Sequence, residues 1–504
     1  MRGSTFDTLD PAIFGEEAVL NVASGQLRNT LIEVNAEGTA TPALAESWES
    51  SGDAQVWVFR LRQGVEFHNG KSLSNEDVVK SLNHHRTFQS RSQAQAILEQ
   101  VSEIDIDGDL IVFRLARLNA DLPLLLSSPY LAICPTESGE VDWRSGIGTG
   151  PYVLGEFEPG VRAFTNRFAN YWKEDAAHFD AIETFSINDP NDMLGRLQGK
   201  RLNYGRLRPV DAGRLLSADG LRHLTLQTRR YGTFAMRINV PPFDNINVRN
   251  ALKFSFNRSD FINRTYSGLA DIGNDNPIGQ SYPFSATVEE LPSNEFDPER
   301  ARFLLDNAGL GRLEVDLSVS DAAFSGATEA ANLFSETAAL AGIRINVIEE
   351  QSDGYWSNVW MQKPFFASSW GGRVTEDEIF STAYLSSADW NETGWSNSRF
   401  DNLIAIARAE IDPDRRREAY VEAQKIVTQE GGSIIPAFEM ESFALSSAID
   451  TGGLVGSTYP HDNYRNSEKW SFLDGGTGRT PQSCRFDEKW CRKQDRCISK
   501  SDDC

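Results

Sequence analysis

The chain has 504 residues, enough for two to four domains at roughly 100 to 200 residues each, and with 40% hydrophobic and 10% aromatic residues it can bury the apolar surface that offsets its ordering entropy. Small stapled scaffolds and wholesale disorder are thereby excluded. Its 49 basic and 72 acidic residues leave a net charge of −23, which opposes the phosphate neutralisation behind nucleic-acid binding and makes anionic membrane an equally poor partner.

The start, MRGSTFDTLDP, lacks the apolar segment of a secretory signal and reads as a mature, trimmed or vector-derived N-terminus. QVWVFRLR (55–62) alternates Trp57, Phe59 and Leu61 on one face and predicts a strand. SNEDVVKSLN predicts a helix with Ser74 as N-cap, Asp77 as its capping-box partner, and Val78, Val79 and Leu82 on one face. The adjacent His84 and His85 point to different sides of that helix and read as surface residues. DIDGD (105–109) sits between two alternating apolar runs and reads as a hairpin turn rather than a calcium loop. No apolar run reaches the about 18 residues of a membrane span; the longest is the Pro- and Ser-broken stretch from Leu122 to Cys134, so direct membrane insertion is not expected.

GIGTGPY (146–152) has neither the GK[ST] ending of a phosphate loop nor the third glycine of a dinucleotide fingerprint, and Pro151 suggests a tight turn. LEVDLSVS (313–320), a helix carrying Leu333, Phe334, Thr337 and Leu340, the stop at Gly342 and the strand IRINVIEE together make a βαβ unit. Two further helices follow. One has Phe400, Leu403, Ile404 and Ala407 in register; the other opens at Asp412-Pro413 and is lined by Ala419, Tyr420, Ala423 and Val427. The last 30 residues differ in kind. They hold Cys484, Cys491, Cys497 and Cys504, whereas the preceding 474 hold only Cys134. The spacing fits no short zinc pattern and leaves two disulfides with three open connectivities. No HExxH pair or GxSxG elbow is present, so no metal, cofactor or catalytic residue is expected, and a hydrolase with an unrecognised site is the alternative from another class.

Several segments together resemble one family. PALAESWESS (42–51), WVFRLRQGVEFHNGKSLSNEDVVKSL (57–82), GTGPY (148–152), NYWK (170–173), NVPPFDNINVRNALKFSFNR (239–258), NPIG (276–279), FDPERARFLLDNAG (296–309), FDNLIAIA and a Pro-containing strand at IIPAF (434–438) occur in the order found in extracellular solute-binding proteins of the peptide, dipeptide and nickel class, family 5 or cluster C, which serve ABC importers. The resemblance implies an α/β, two-lobed, type II periplasmic-binding-protein-like clamp with a discontinuous larger lobe. Lobe I is expected at residues 1–235 and 444–474 and lobe II at 236–443, with crossings near Tyr231 to Val240 and Phe438 to Ala444; the cysteine-containing tail at 475–504 lies outside the match. It further implies a periplasmic monomer that captures a small-molecule or peptide ligand between its lobes and passes it to ABC permease subunits. Within the motifs, Trp48, Trp57, Phe59, Phe67 and Tyr171 read as packing residues, and Gly70 and Gly150 as suppliers of turn geometry.

The ligand reading turns on FASSWGGRVTEDEIF (366–380). In peptide-binding members of the family the corresponding stretch carries an aspartate two or three residues after the tryptophan, paired with the ligand's α-ammonium group. Here Trp370 is followed by Gly371, Gly372 and Arg373. A guanidinium repels an ammonium and suits a carboxylate or phosphate bidentately, so the expected ligand is anionic: an opine-like conjugate, a phosphorylated sugar, a chelate or an acidic peptide. A slip in the match would instead make Asp377 the family's acid and return an ordinary oligopeptide- or dipeptide-binding protein. Arg91 falls near a carboxylate-binding arginine of nickel-chelate members. Trp370 and Trp395 are candidate stacking walls, joined by Asn391, by Tyr231 at the first crossing, and by Phe14 and Glu16 after the LDP turn.

Overall fold

The computed structural model describes every residue except 14, 88–91, 209–210, 212–219, 474–487, 492–495 and 500–504. The described chain divides into two compact units, Met1–Leu226 with Glu441–Cys504, and Gln227–Met440. It passes from one to the other inside two strands, Leu221–Met236 and Ala437–Ser446.

In the first unit an antiparallel sheet runs in the order Ala45–Ser50, Val56–Leu61, Leu110–Leu115, Val101–Asp107. The expected alternation is present, with Trp57, Phe59 and Leu61 all buried. Trp48 stacks on Phe59 with ring centroids 6.4 Å apart. The hairpin between the last two strands turns at Gly108, whose φ of +59° falls in the left-handed region that glycine tolerates best. The helix Asn75–His84 has its capping box complete, with Ser74 Oγ accepting from Asp77 N–H and the Asp77 carboxylate accepting from Ser74 N–H. Val78 and Leu82 are buried beneath it.

Two expectations in this unit are corrected. His85 is a fully buried residue rather than a surface one: its Nδ1 lies 2.7 Å from Ser92 Oγ, and burial holds its pKa down to about 4. Gly150 does not supply turn geometry, since its φ is not positive. A Cβ there would lie 2.4 Å from the Leu27 carbonyl carbon and 2.5 Å from Arg28 N, so glycine is needed for backbone contact. His68 closes the same corner, accepting from Gly148 N–H through Nδ1 (3.2 Å) and meeting the Gly150 carbonyl through Nε2 (3.0 Å). The FHNGK and GTGPY motifs are thus two halves of one packing contact, and burial depresses the His68 pKa to about 4.

In the second unit the strand Leu221–Met236 pairs antiparallel with Phe365–Trp370, which joins Leu313–Val319 in parallel, which in turn pairs in parallel with Ile343–Glu349 over seven residues. The connecting helix Ala327–Ala339 completes the βαβ unit. Leu333, Phe334 and Thr337 are buried as expected, but Leu340 is 59% exposed because it sits past the helix end, where the chain turns toward Gly342 (φ +79°). The IIPAF segment is not one strand. Pro436, which lacks an N–H for the ladder, separates Ser433–Ile434 from Ala437–Ser446. Phe234, Phe256, Phe334 and Phe365 dominate one core cluster, each such side chain contributing about 1.5–3 kcal/mol when fully buried. A second cluster joins Tyr231, Trp370, Phe380, Trp395, Phe400 and Tyr420 beneath the helices Ser398–Ala409 and Pro413–Glu430, whose expected apolar faces are inward.

The tail contains two antiparallel paired strands, Glu488–Cys491 and Arg496–Ser499. Cys484 and Cys504, and with them the disulfide expectation, lie outside the described residues.

Candidate functional site

The strand Phe365–Trp370 ends opposite Tyr231, its antiparallel partner, and delivers the chain to Gly371, Gly372 and Arg373. Gly371 is exposed, with nothing within 4 Å of where a Cβ would stand, whereas a Cβ on Gly372 would press on Arg229 at 2.9 Å. Arg229 is the buttress of this turn. Its guanidinium lies 4.2 Å from the Tyr282 ring centroid and donates to the carbonyls of Ser281 (2.7 Å), Val374 and Arg373 (3.4 Å). The Arg373 N–H in turn donates to Tyr282 Oη at 3.4 Å.

Arg373 itself is half-buried, and among the described residues its guanidinium has no hydrogen-bond or ion-pair partner. The three acids that follow it are otherwise engaged. Glu376 accepts from Phe284 N–H at 2.7 Å. Asp377 is held by Arg408 Nε at 3.0 and 3.1 Å and accepts from Ser381. Glu378 closes a capping box with Thr375 and accepts from Val374 N–H at 2.8 Å. All three stand in the first turn of the helix Glu376–Ala383, where negative charge meets the positive end of the helix dipole. These partners occupy the three carboxylates, while the half-buried Arg373 guanidinium keeps a donor fork that fits a carboxylate or phosphate.

The other expected residues divide. Trp370 is buried to 6% exposure, and its ring lies 6.2 Å from that of Trp390, which is half exposed. Tyr231 and Trp395 are packing residues. Tyr231 is 1% exposed with its hydroxyl 3.1 Å from that of Tyr384, and Trp395 meets Phe400 edge-on at 5.0 Å. Asn391 shapes its own loop, donating to the carbonyls of Leu385 (3.1 Å) and Trp395 (2.6 Å). Glu16, in the first unit, occupies the N-cap position of the helix Glu17–Gly25 without a side-chain cap bond. Phe14 and Arg91 lie outside the described residues. Sequence reasoning missed Arg229, Tyr282 and Glu392, because each earns its place through partners far away in the chain; the Arg229-Arg230 pair beside Tyr231 was the one visible signal.

Among the described residues no helix is long and apolar enough to cross a membrane. Residues 39–392 match the model of the bacterial extracellular solute-binding proteins, family 5 middle region. The dipeptide-binding protein of Escherichia coli K12 is 25% identical over 475 residues, covering 85% of this chain and 86% of its own. Among solved structures, HbpA2 from Haemophilus parasuis superposes with a TM-score of 0.83 at 20% identity over 94% of this chain and 98% of its own. The binding protein AgaA from A. tumefaciens R10, in complex with agropinic acid, does so with a TM-score of 0.68 at 19% identity over 95% and 98%.

Proposed function

The chain belongs to the bacterial extracellular solute-binding proteins of family 5, and from that premise we propose that it captures a peptide-sized anionic solute, held by Arg373, for delivery to an ABC permease. The family's members bind small ligands or peptides for ABC importers and are binding proteins, not enzymes; the fold is the two-lobed α/β fold of periplasmic binding proteins. On this reading it works as a monomer in the periplasm.

The observation that carries the ligand reading is the Arg373 guanidinium, half-buried beside Trp370 and left without a partner among the described residues by acids that are bonded elsewhere. Asp377 is poorly suited to receive a ligand ammonium, because Arg408 already neutralises it. The structural relative in complex with agropinic acid supports the anionic reading.

Mass spectrometry of the molecules that co-purify, followed by calorimetry with the compound found, tests it. A charge-assisted hydrogen bond in a desolvated site is worth about 1.5–3 kcal/mol, so Arg373→Ala should weaken binding of a carboxylate or phosphate ligand roughly tenfold to a hundredfold, while free-amine dipeptides bind poorly to the wild type. A neutral or cationic ligand, or equal affinity in the two proteins, would return the dipeptide-binding reading suggested by the Escherichia coli relative.

A further inference from the structure

Glu392 is 3% exposed, yet among the described residues it has no basic partner. Its two oxygens are taken by two tryptophans: Oε1 accepts from Trp370 Nε1 at 3.0 Å and Oε2 from Trp360 Nε1 at 2.7 Å. A third tryptophan closes the group, the Trp390 ring lying 6.2 Å from both Trp360 (84° between planes) and Trp370 (43°). The three indoles arrive from separate places in the chain, a turn after the short helix Tyr355–Asn358, the end of the strand Phe365–Trp370, and the loop before Asn391.

Burying a carboxylate without a cation is costly, and a hydrophobic residue of similar volume would pack among three indoles at less expense. Such a group persists where its acceptors fix geometry. Indole offers one donor in the ring plane, so anchoring Nε1 sets the orientation of the whole ring. We propose that Glu392 is a positioning residue whose carboxylate clasps the indoles of Trp360 and Trp370 together and thereby sets the plane of Trp370 beside Gly371 and Arg373. Its bearing on binding rests on the reading of Trp370 and Arg373 as ligand-contacting residues; the clasp itself does not.

The Glu392 charge helps to raise the pKa of the Tyr231, Tyr355 and Tyr384 phenols, which burial already raises, so these three hydroxyls stay protonated across the range in which a carboxyl titrates. Desolvation raises the Glu392 pKa above the ordinary carboxylate value, against the opposing pull of Trp370, the Ser368 hydroxyl and Trp360.

The test uses the full chain labelled with 15N at its tryptophan indoles, the Trp360 and Trp370 signals being assigned by their loss in Trp360→Phe and Trp370→Phe. Both signals should be shifted downfield and protected from exchange. On acidification both should move with one shared midpoint above the ordinary glutamate range. In Glu392→Gln, which keeps the shape but offers only one acceptor oxygen, at least one signal should lose its shift and protection, and the shared titration should vanish. Thermal unfolding confirms that the variant is folded; should it not fold, the wild-type titration decides alone. Signals that stay unchanged in folded Glu392→Gln, or that titrate with separate midpoints or not at all, would overturn the clasp. No ligand enters this experiment, so that result would leave the Arg373 reading standing, whereas a failed Arg373→Ala calorimetry would remove that reading and leave the clasp.

Discussion

Arg258 and Asp275 show what the family motifs are made of at the scale of single residues. Arg258 Nη2 donates to both oxygens of Asp275 at 2.6 and 2.7 Å, and its Nη1 reaches the Asn294 carbonyl at 2.6 Å. Asp275 also accepts from Asn294 Nδ2 (2.8 Å) and Ile435 N–H (2.9 Å). Both side chains are nearly inaccessible, at 4% and 0%. The NVRNALKFSFNR segment and the residue preceding NPIG are therefore joined by a buried ion pair, a structural bond that needs no ligand. Removing one partner strands the other charge, so Arg258→Ala should lower stability by about 3–5 kcal/mol in urea unfolding. The exposed Arg264–Asp260 pair, one helical turn apart, should cost under about 1 kcal/mol when broken by Arg264→Ala. The same scale separates Arg373 from Tyr231, both candidate site residues in the sequence: among the described residues one presents a guanidinium without a partner, and the other is shut into a core by Tyr384 and Phe438.

At the scale of elements, glycine spacing in GTGPY reports chain-to-chain approach. A Cβ on Gly148 would lie 2.1 Å from the Leu27 carbonyl oxygen, and all three nearest contacts of a Cβ on Gly150 are backbone atoms of residues 26–28, which cannot swing aside. Gly150→Ala should cost about 1–3 kcal/mol by thermal or urea unfolding. Gly52→Ala, with nothing within 4 Å of its Cβ, should stay within about 0.5 kcal/mol of wild type. Helix starts were legible for a different reason. Ser74 with Asp77 and Asp412 with Pro413 satisfy orphan N–H groups within a few residues, so local sequence suffices. The Pro436 break and the exposure of Leu340 are not legible in the local pattern, because both depend on where a neighbouring strand or helix end falls.

For the molecule as a whole, acid is expected to destabilise the first unit before the carboxylates titrate. His68 and His85 belong to that unit, and each has its folded pKa depressed by burial to about 4 from an unfolded value of 6.5. Between those values the unfolded chain binds protons that the folded chain does not, so stability present above pH 6.5 is lost as pH falls toward 4. At about 1.4 kcal/mol per decade, each histidine contributes up to roughly 3 kcal/mol to that loss. Urea midpoints measured at intervals from pH 7 to pH 4 should fall steeply in the wild type and less in His68→Gln. If the two units unfold in separate transitions, the slope belongs to the first. Further down, Glu33, held near 2 by Arg465 and Lys173 despite its burial, extends the loss below its ordinary value of 4.5.

What the sequence determined by itself is whatever short-range chemistry and repeated pattern encode: helix caps, the period-two burial of the strand at Trp57 to Leu61, the parallel βαβ unit, and the order of motifs that marks the family. Only the tertiary structure decided which of these side chains are spoken for. Asp377 is neutralised from 31 residues away by Arg408, the GTGPY glycines are required by backbone more than 100 residues earlier, and Glu392 acquires its meaning from indoles at Trp360 and Trp370. Hydrogen bonds and ion pairs between distant segments leave no periodic trace in the chain, so the difference between a residue that holds the fold and one that is open to a ligand emerges only when those partners meet.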